Sequence, residues 1–479
     1  MVDCLFILHI ARMSVLIRPI NCVVNYISEL NLSLKNIGES GLTKRQSNWF
    51  AVVLMGLIVT NSFNWAAFAR RSLGEFKESS LRWVFRHAKI SWSRLLQAST
   101  SLVFKHYNLS EGVLILDDSD KVRSRNTSKI AGVHKVKDKK TGGWFNGQEF
   151  VFLTIATELV TLPVDFRFYI PDPAIKEWKE KVKAQRSAGV HKKNRAKKPG
   201  PNPNYPSKQK LALEMLESFA KGHPDIKVKA ILADALYGNA RFMDKASNIT
   251  HCPQVISQLR KNQLVRTKGK KVSLKNYFSR QKGVDTKLTI RGGEEKSVTM
   301  LAARVVVKSH GKKRFVIALK YEGETEYRFI VATDLTWRHK DVARTYTLRW
   351  LVEVFIQDWK GHGGWNTLSK QHGMDGAMQG VTLSLLCDHL LLLHPLQSAR
   401  FKNKQPGMPV GCLIEHVNVA SVIDSIEHIF NAEQPKNEFK KFKTLMQDSL
   451  PERNSSKHLS GRNLGRMEPT ESLKYQKAA

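Results

Sequence analysis

Residues 113–118, VLILDD, are four aliphatic side chains ending in two carboxylates, with a third acid, Asp120, two positions on. An unbroken apolar run of this kind reads as a strand buried on both faces, as in sheets with helices on either side. The acids then stand at its exit. A second apolar run, Ile231–Ala233, delivers Asp234 in the same way and is followed by the turn residues Tyr237, Gly238 and Asn239. One Asp at a strand end is ordinarily a cap or turn residue. The pair becomes a candidate site only if a third acid converges, because a hard cation such as Mg²⁺ takes several oxygen ligands while keeping positions open for substrate.

Residues 346–360, YTLRWLVEVFIQDWK, supply that acid. At about 100° per residue, with Tyr346 at the origin, Arg349, Glu353 and Lys360 fall near roughly 300°, 340° and 320°. The apolar residues Leu348, Leu351, Val352, Phe355 and Trp359 fall between about 140° and 240°, on the opposite side. The spacing predicts one long helix beginning near His339 that buries an apolar stripe and presents a phenol, two cations and a carboxylate. On an arbitrary helix this is a solvated face with an Arg–Glu pair. The mixture also suits a phosphodiester, the acid holding metal while Arg and Lys grip neighbouring phosphates.

Working outward, strand-like runs occur at 113–118, 149–158, 161–170, 226–233 and 253–259, before the Glu353 helix. Residues 261–326 show short alternating runs (KLTI, SVTMLAARVVV, RFVIAL) separated by Gly and Lys, as in hairpins. Residues 1–107 read as helical. Within them NWAAFARR and SSLRWVFRH form two short amphipathic segments, either a DNA-reading helix-turn-helix with Arg82 and Arg86 on its second helix or simply two packed helices. The implied organisation is a helical region 1–107, a core in two parts, 108–260 and 327–400, an insertion 261–326, and a C-terminal region 401–479 that serves as a dimerisation element or a flexible tail.

Charge sharpens the choice of partner. The 479 residues hold 77 Lys+Arg against 42 Asp+Glu, a net charge of +35, with 42% hydrophobic residues. That apolar content excludes a disordered basic tail, and the charge favours a polyanion. The basicity is local. Residues 181–210 carry ten Lys/Arg, no acid and four prolines, and read as a loop or mobile arm; residues 260–320 carry 18 Lys/Arg against three acids. Five scattered cysteines without a C-x2-C pair, Cys4, Cys22, Cys252, Cys387 and Cys412, argue against a disulfide framework and a cysteine zinc site. The apolar stretch Trp49–Val59 is 11 residues long, and a bilayer span takes about 20. Asp3 stands where a signal peptide carries Lys or Arg. The chain reads as cytoplasmic and without a membrane partner.

Tyr346-x2-Arg349-x3-Glu353-x6-Lys360, followed by GHGGW, resembles the Y-R-E-K signature of the bacterial insertion-sequence DDE transposases of family four. LDDS at 116–119 resembles their first-aspartate motif, with Asp118 matching the acid ahead of Asp117. LADALYGN resembles the second-aspartate motif, matching Asp234. The resemblance spans roughly 110–395. It implies an α/β, ribonuclease-H-like core with a mixed five-stranded sheet flanked by helices, and a β-rich insertion in the interval of 119 residues from Asp234 to Glu353. The aromatic clamp usual on that insertion has only Tyr327 and Trp337 as candidates. The resemblance further implies Asp118, Asp234 and Glu353 as catalytic ligands of two Mg²⁺ ions, with Mn²⁺ able to substitute. Tyr346, Arg349 and Lys360 would hold DNA phosphate, and Arg260 and Lys261 would line the same cleft. The partner is then double-stranded DNA, transposon ends and target, bound by a homodimer at the bacterial nucleoid. A related two-metal nuclease without strand transfer and a catalytically inactive DNA-binding remnant are the competing readings.

Overall fold

The computed structural model describes residues 19–449 apart from 73–74, 124–129, 139–140, 268, 291–292 and 365–367. The stretch weighed as a leader, with Cys4, and the tail 450–479 lie outside the described residues. The strands are β1 (Glu111–Val122), β2 (His134–Lys137), β3 (Trp144–Ala156), β4 (Thr161–Tyr169), β5 (Lys227–Ala233), β6 (Val255–Leu259), β7 (Leu264–Thr267), β8 (Lys270–Ser273), β9 (Val284–Thr289), β10 (Glu295–Val307), β11 (Lys312–Tyr321) and β12 (Arg328–Ala332).

All twelve join one sheet, in the order β2-β3-β1-β5-β6-β12-β11-β10-β7-β8, with β4 on β3 and β9 on β10. β1 runs antiparallel to β3 and parallel to β5, and β5 runs parallel to β6. The five strands expected from sequence are therefore present, but in a larger sheet than the five-stranded one expected. β12 pairs antiparallel with β6 and joins it to β11 and β10. The basic β-rich segment continues the core sheet instead of standing apart from it, because β12 supplies the edge of β6 with a partner.

Both faces of the sheet are covered. Ile115, Phe152, Leu232 and Ile317 pack with helices Lys44–Thr60, Trp92–His106, Trp350–His362 and Gly373–Leu392. Leu114, Leu116, Ile231 and Val316 pack on the other side with helices Lys208–Gly222 and Ala240–Thr250. This two-sided burial is why the runs that end in Asp are continuously apolar, since alternate side chains enter different cores.

The helix Lys44–Thr60 opens with a capping box between Thr43 and Gln46 and closes on Asn61 in the left-handed conformation. Its residues from Trp49 to Ile58 are buried, which accounts for the long apolar run as core. Among the described residues no single helix is long and apolar enough to cross a membrane; two sharply bent helix pairs pass by length and composition.

Two local expectations are corrected. Residues 181–187 are helical, the end of helix Pro173–Ser187, and 208–210 open the helix Lys208–Gly222; only the stretch between them is irregular, apart from a short turn of helix at Lys192–Asn194. All four prolines of the basic segment lie beyond that helix, between 199 and 206, so they do not interrupt it. The long helix expected from His339 is two, His339–Thr347 and Trp350–His362. At the join Leu348 and Arg349 donate their N–H groups to the carbonyls of Thr345 and Tyr346, a tighter turn than the α-helix makes.

Candidate metal and phosphate site

Strand alternation sends the paired acids of β1 to opposite faces. Asp117, on the side of Ile115, faces the helix Trp350–His362; Asp118, on the side of Leu116, faces the helix Lys208–Gly222. Arg349 Nη1 donates to Asp117 Oδ2 at 2.8 Å, and Arg349 Nη2 pairs with Glu353. Lys208 Nζ donates to Asp118 Oδ2 at 2.6 Å and to Glu149 Oε1 at 2.7 Å.

Asp234 follows the end of the neighbouring β5, where Ala233 is in register with Leu116. Its turn is fixed by three contacts. Asp234 Oδ1 accepts from Leu236 N at 2.8 Å, its carbonyl accepts from Ser257 Oγ at 2.6 Å, and Gly238 presses so closely on Gln258 that an added Cβ would lie 2.2 Å from the Gln258 carbonyl oxygen.

Asp117, Asp118 and Asp234 each present a carboxylate oxygen within 4.8 Å of the others. They line a cleft of about 630 Å³ together with Gln258, Arg349, Glu353, Gln357 and Lys360. Burial pushes the Asp117 carboxyl up to about 6 against the pull of Arg349. For Arg349 burial works the other way, but Asp117, Tyr346 and Glu353 hold its guanidinium above the usual value. Burial lowers Lys360, with Asp120 opposing. The donor set is hard oxygen, drawn from the middle of β1, the end of the adjacent β5 and the facing helix, and fits a divalent cation such as Mg²⁺ or Mn²⁺. Tyr237 Oη adds a second sign: it is buried without a hydrogen-bond partner among the described residues, and its proton is held by burial and by the charges of Asp118, Asp234 and Asp117.

The structure thus brings together Asp118, Asp234, Glu353, Arg349 and Lys360. Glu353 lines the cleft but stands outside the tight aspartate group. Tyr346 is buried because of the break after Thr347, and its hydroxyl donates to the Ala233 carbonyl oxygen at 3.4 Å, beneath the cleft and not on its open face. Arg260 and Lys261 do not line the cleft; Arg260 is exposed, and Lys261 Nζ is held at 2.9 Å by Glu326 on the surface. Arg82 and Arg86 are exposed beside Trp83, over the buried Leu81 and Phe85.

Several residues escaped the sequence reading. Glu149 lies opposite Asp120 in the β1–β3 ladder. Its second oxygen faces His134 Nε2 at 2.9 Å. Burial tends to raise this carboxyl, yet the bonds from His134 and Lys208 bring it down to about 2. β1 also runs four residues past Asp118, and alternation places Lys121 and Arg123 on the face of Asp117. Burial and the neighbouring charges of Arg123, Lys360 and Lys370 bring Lys121 down to about 8. The alternation D-x-S-x-K-x-R from Asp117 to Arg123 carried this signal.

The family model described as "DDE superfamily endonuclease" matches residues 40–315. No curated protein matches at a significant level. Among solved structures, the piggyBac transposase synaptic complex with hairpin DNA is similar over 94% of this chain and 86% of that one, at 9% identity and a TM-score of 0.40.

Proposed function

Since the chain belongs to the DDE superfamily endonucleases, we propose that it is a DNA transposase of an insertion sequence, which cleaves DNA at the element's terminal repeats and transfers the ends to a target. The observation that carries this reading is the convergence of Asp118 and Asp234 from adjacent parallel strands on the cleft bounded by Glu353 and Lys360. In this reading the strands β4-β3-β1-β5-β6 are a ribonuclease-H-like unit, and the Y-R-E-K residues belong to the insertion sequences of family four.

Asp118, Asp234 and Glu353 would hold two Mg²⁺ ions. Metal held by these three carboxylates would supply Lewis-acid activation of a water or 3′-hydroxyl and charge stabilisation for the leaving oxygen of an in-line displacement. The chain's own residues do the rest. Arg349 fixes Glu353 and Asp117 relative to each other through one guanidinium. Lys360, with Lys121 beside it, offers cationic charge at the cleft where a DNA phosphate is gripped. Tyr346 braces the strand end that carries Asp234. The exposed lysines of 181–210 and of the insertion hold the flanking duplex, and two copies of the chain bring two ends together.

The test is cleavage of the element's own end DNA with Mg²⁺, comparing the wild type with Glu353→Gln, Asp118→Asn and Asp117→Asn. Loss of cutting in the first two supports the reading. Equal cutting by Glu353→Gln and the wild type removes Glu353 from the site, and binding of end DNA no tighter than random DNA removes the transposase assignment.

A further inference from the structure

Lys208 is placed where a cation is already at work. Its side chain, 16% exposed, opens the helix Lys208–Gly222 and passes over the Tyr169 ring, with Nζ 5.2 Å from the ring centre. Its ammonium is shared between Asp118 Oδ2 and Glu149 Oε1. The two carboxylates are not equivalent. Glu149 is anchored from behind, its other oxygen facing His134 Nε2, while His134 Nδ1 lies 3.0 Å from the Gly132 carbonyl oxygen. Asp118 stands at the cleft with Asp117 and Asp234. Three carboxylates this close repel one another, and the ammonium offsets part of that repulsion. A divalent ion at Asp118 must compete for the oxygen that the ammonium holds.

We propose that Lys208 is an internal counter-ion that occupies Asp118 in the ion-free protein and withdraws onto Glu149 alone when a divalent cation binds, with His134 fixing Glu149 as the retreat. The inference rests on the reading of Asp118 as a metal ligand. It makes Lys208 a positioning residue, setting how readily the cleft takes its ion. Two substitutions then act in opposite directions. Lys208→Met removes the competitor and leaves the acids uncompensated. Glu149→Gln leaves the ammonium no anion but Asp118, so that displacing it strands a buried charge.

The experiment uses the full chain and Mn²⁺ alone. Binding is followed by the paramagnetic resonance of free Mn²⁺, and exposure of Lys208 by its acylation rate, read by peptide mass spectrometry. Lys208→Met is expected to bind Mn²⁺ about fivefold more tightly than the wild type, and Glu149→Gln more weakly by a similar factor. Saturating Mn²⁺ should raise acylation of Lys208 severalfold in the wild type. Unchanged affinity in both variants, or unchanged acylation at saturation, overturns the counter-ion. If Lys208→Met does not fold, as judged by circular dichroism, acylation of the wild type and the affinity of Glu149→Gln decide. If the wild type binds Mn²⁺ no better than Asp234→Asn, the metal-site reading fails too, an outcome distinct from intact binding that ignores Lys208.

Discussion

Asp117 and Glu353 are bound to the same guanidinium, one to each terminal nitrogen of Arg349. A strand of the sheet and the helix above it are thereby locked in register at the cleft. A lysine at 349 keeps the charge but, as a point charge without the planar fork, cannot serve both carboxylates in this geometry. Arg349→Lys is expected to reduce cleavage of end DNA by about a hundredfold, as misplacement of a reacting group by about 1 Å does. Cleavage within a few-fold of wild type would show that the bridge does not position Glu353.

The clustered aspartates make a prediction about the ion-free protein. Asp117, Asp118 and Asp234 repel one another, so Asp234→Asn should raise the unfolding midpoint without metal and abolish the further rise on adding Mg²⁺ or Mn²⁺. For the wild type that rise corresponds to about 2.7 kcal/mol at a hundred times the dissociation constant. A thermal titration with each ion checks both halves. A wild-type protein indifferent to Mg²⁺ and Mn²⁺ would contradict the site.

Gly238 closes the turn after Asp234. Its missing Cβ would meet backbone, the Gln258 carbonyl oxygen at 2.2 Å, and not the end of a flexible side chain. Gly238→Ala therefore has to move either the turn or β6. Denaturant unfolding is expected to show a loss of about 1–3 kcal/mol, with a weaker thermal response to Mn²⁺. No loss would mean that the turn yields freely.

A buried chain of hydrogen bonds ties the N-terminal helices to the core. The Pro163 carbonyl only accepts, so His389 Nε2 donates to it, at 2.8 Å, and neutral Nδ1 accepts from Ser99 Oγ at 2.8 Å. Ser99 has then used its proton, so the Tyr26 hydroxyl donates to Ser99 at 2.7 Å. Burial lowers His389 to about 4. The unfolded chain takes this proton near pH 6.5 and the folded one only near 4, so stability falls as pH drops through that window, by about 3 kcal/mol for this group. His223, also lowered by burial to about 4, acts in the same direction. His389→Asn should cost stability at pH 7 and flatten the acid slope between pH 6.5 and 4. An equally steep slope in the variant would assign the acid sensitivity elsewhere.

Lys192, Lys193, Lys197 and Lys198 are exposed in the irregular stretch beyond the helix Pro173–Ser187. Replacing all four with Gln should reduce the slope of log affinity against log salt by about 3–4 if each meets a phosphate. An unchanged slope in a filter-binding titration would place DNA elsewhere.

The runs of β1 and β5 were legible because each is apolar on both faces and meets a carboxylate; the ends of β5 and β6 fall within two residues of expectation. The acids were legible by the same rule. Pairing was less so. Nothing local in 328–332 says that it will bind β6, a partner some seventy residues earlier, so the insertion was read as a separate unit. Helical periodicity assigned the right buried stripe at Val352, Phe355 and Trp359, but periodicity carries no sign of the tight turn at Leu348–Arg349, and so Tyr346 was placed on an open face. Lys208 was hidden among ten cations of a basic segment, distinguished only by a fold that brings it to Asp118.

The pairing of β12 with β6 also sets an order of assembly. The aspartates of β1 and the turn after β5 are all available once residue 234 has been made, whereas Glu353 arrives only after β7 to β12. Its helix packs on the same sheet that β12 extends. During synthesis, which releases the chain from its N-terminus, the polypeptide carries a cluster of acids for more than a hundred residues before the helix that completes the cleft exists. In the proposed reading a nascent or prematurely ended chain would hold these acids without Glu353, and cleavage would wait until the insertion has been built into the sheet.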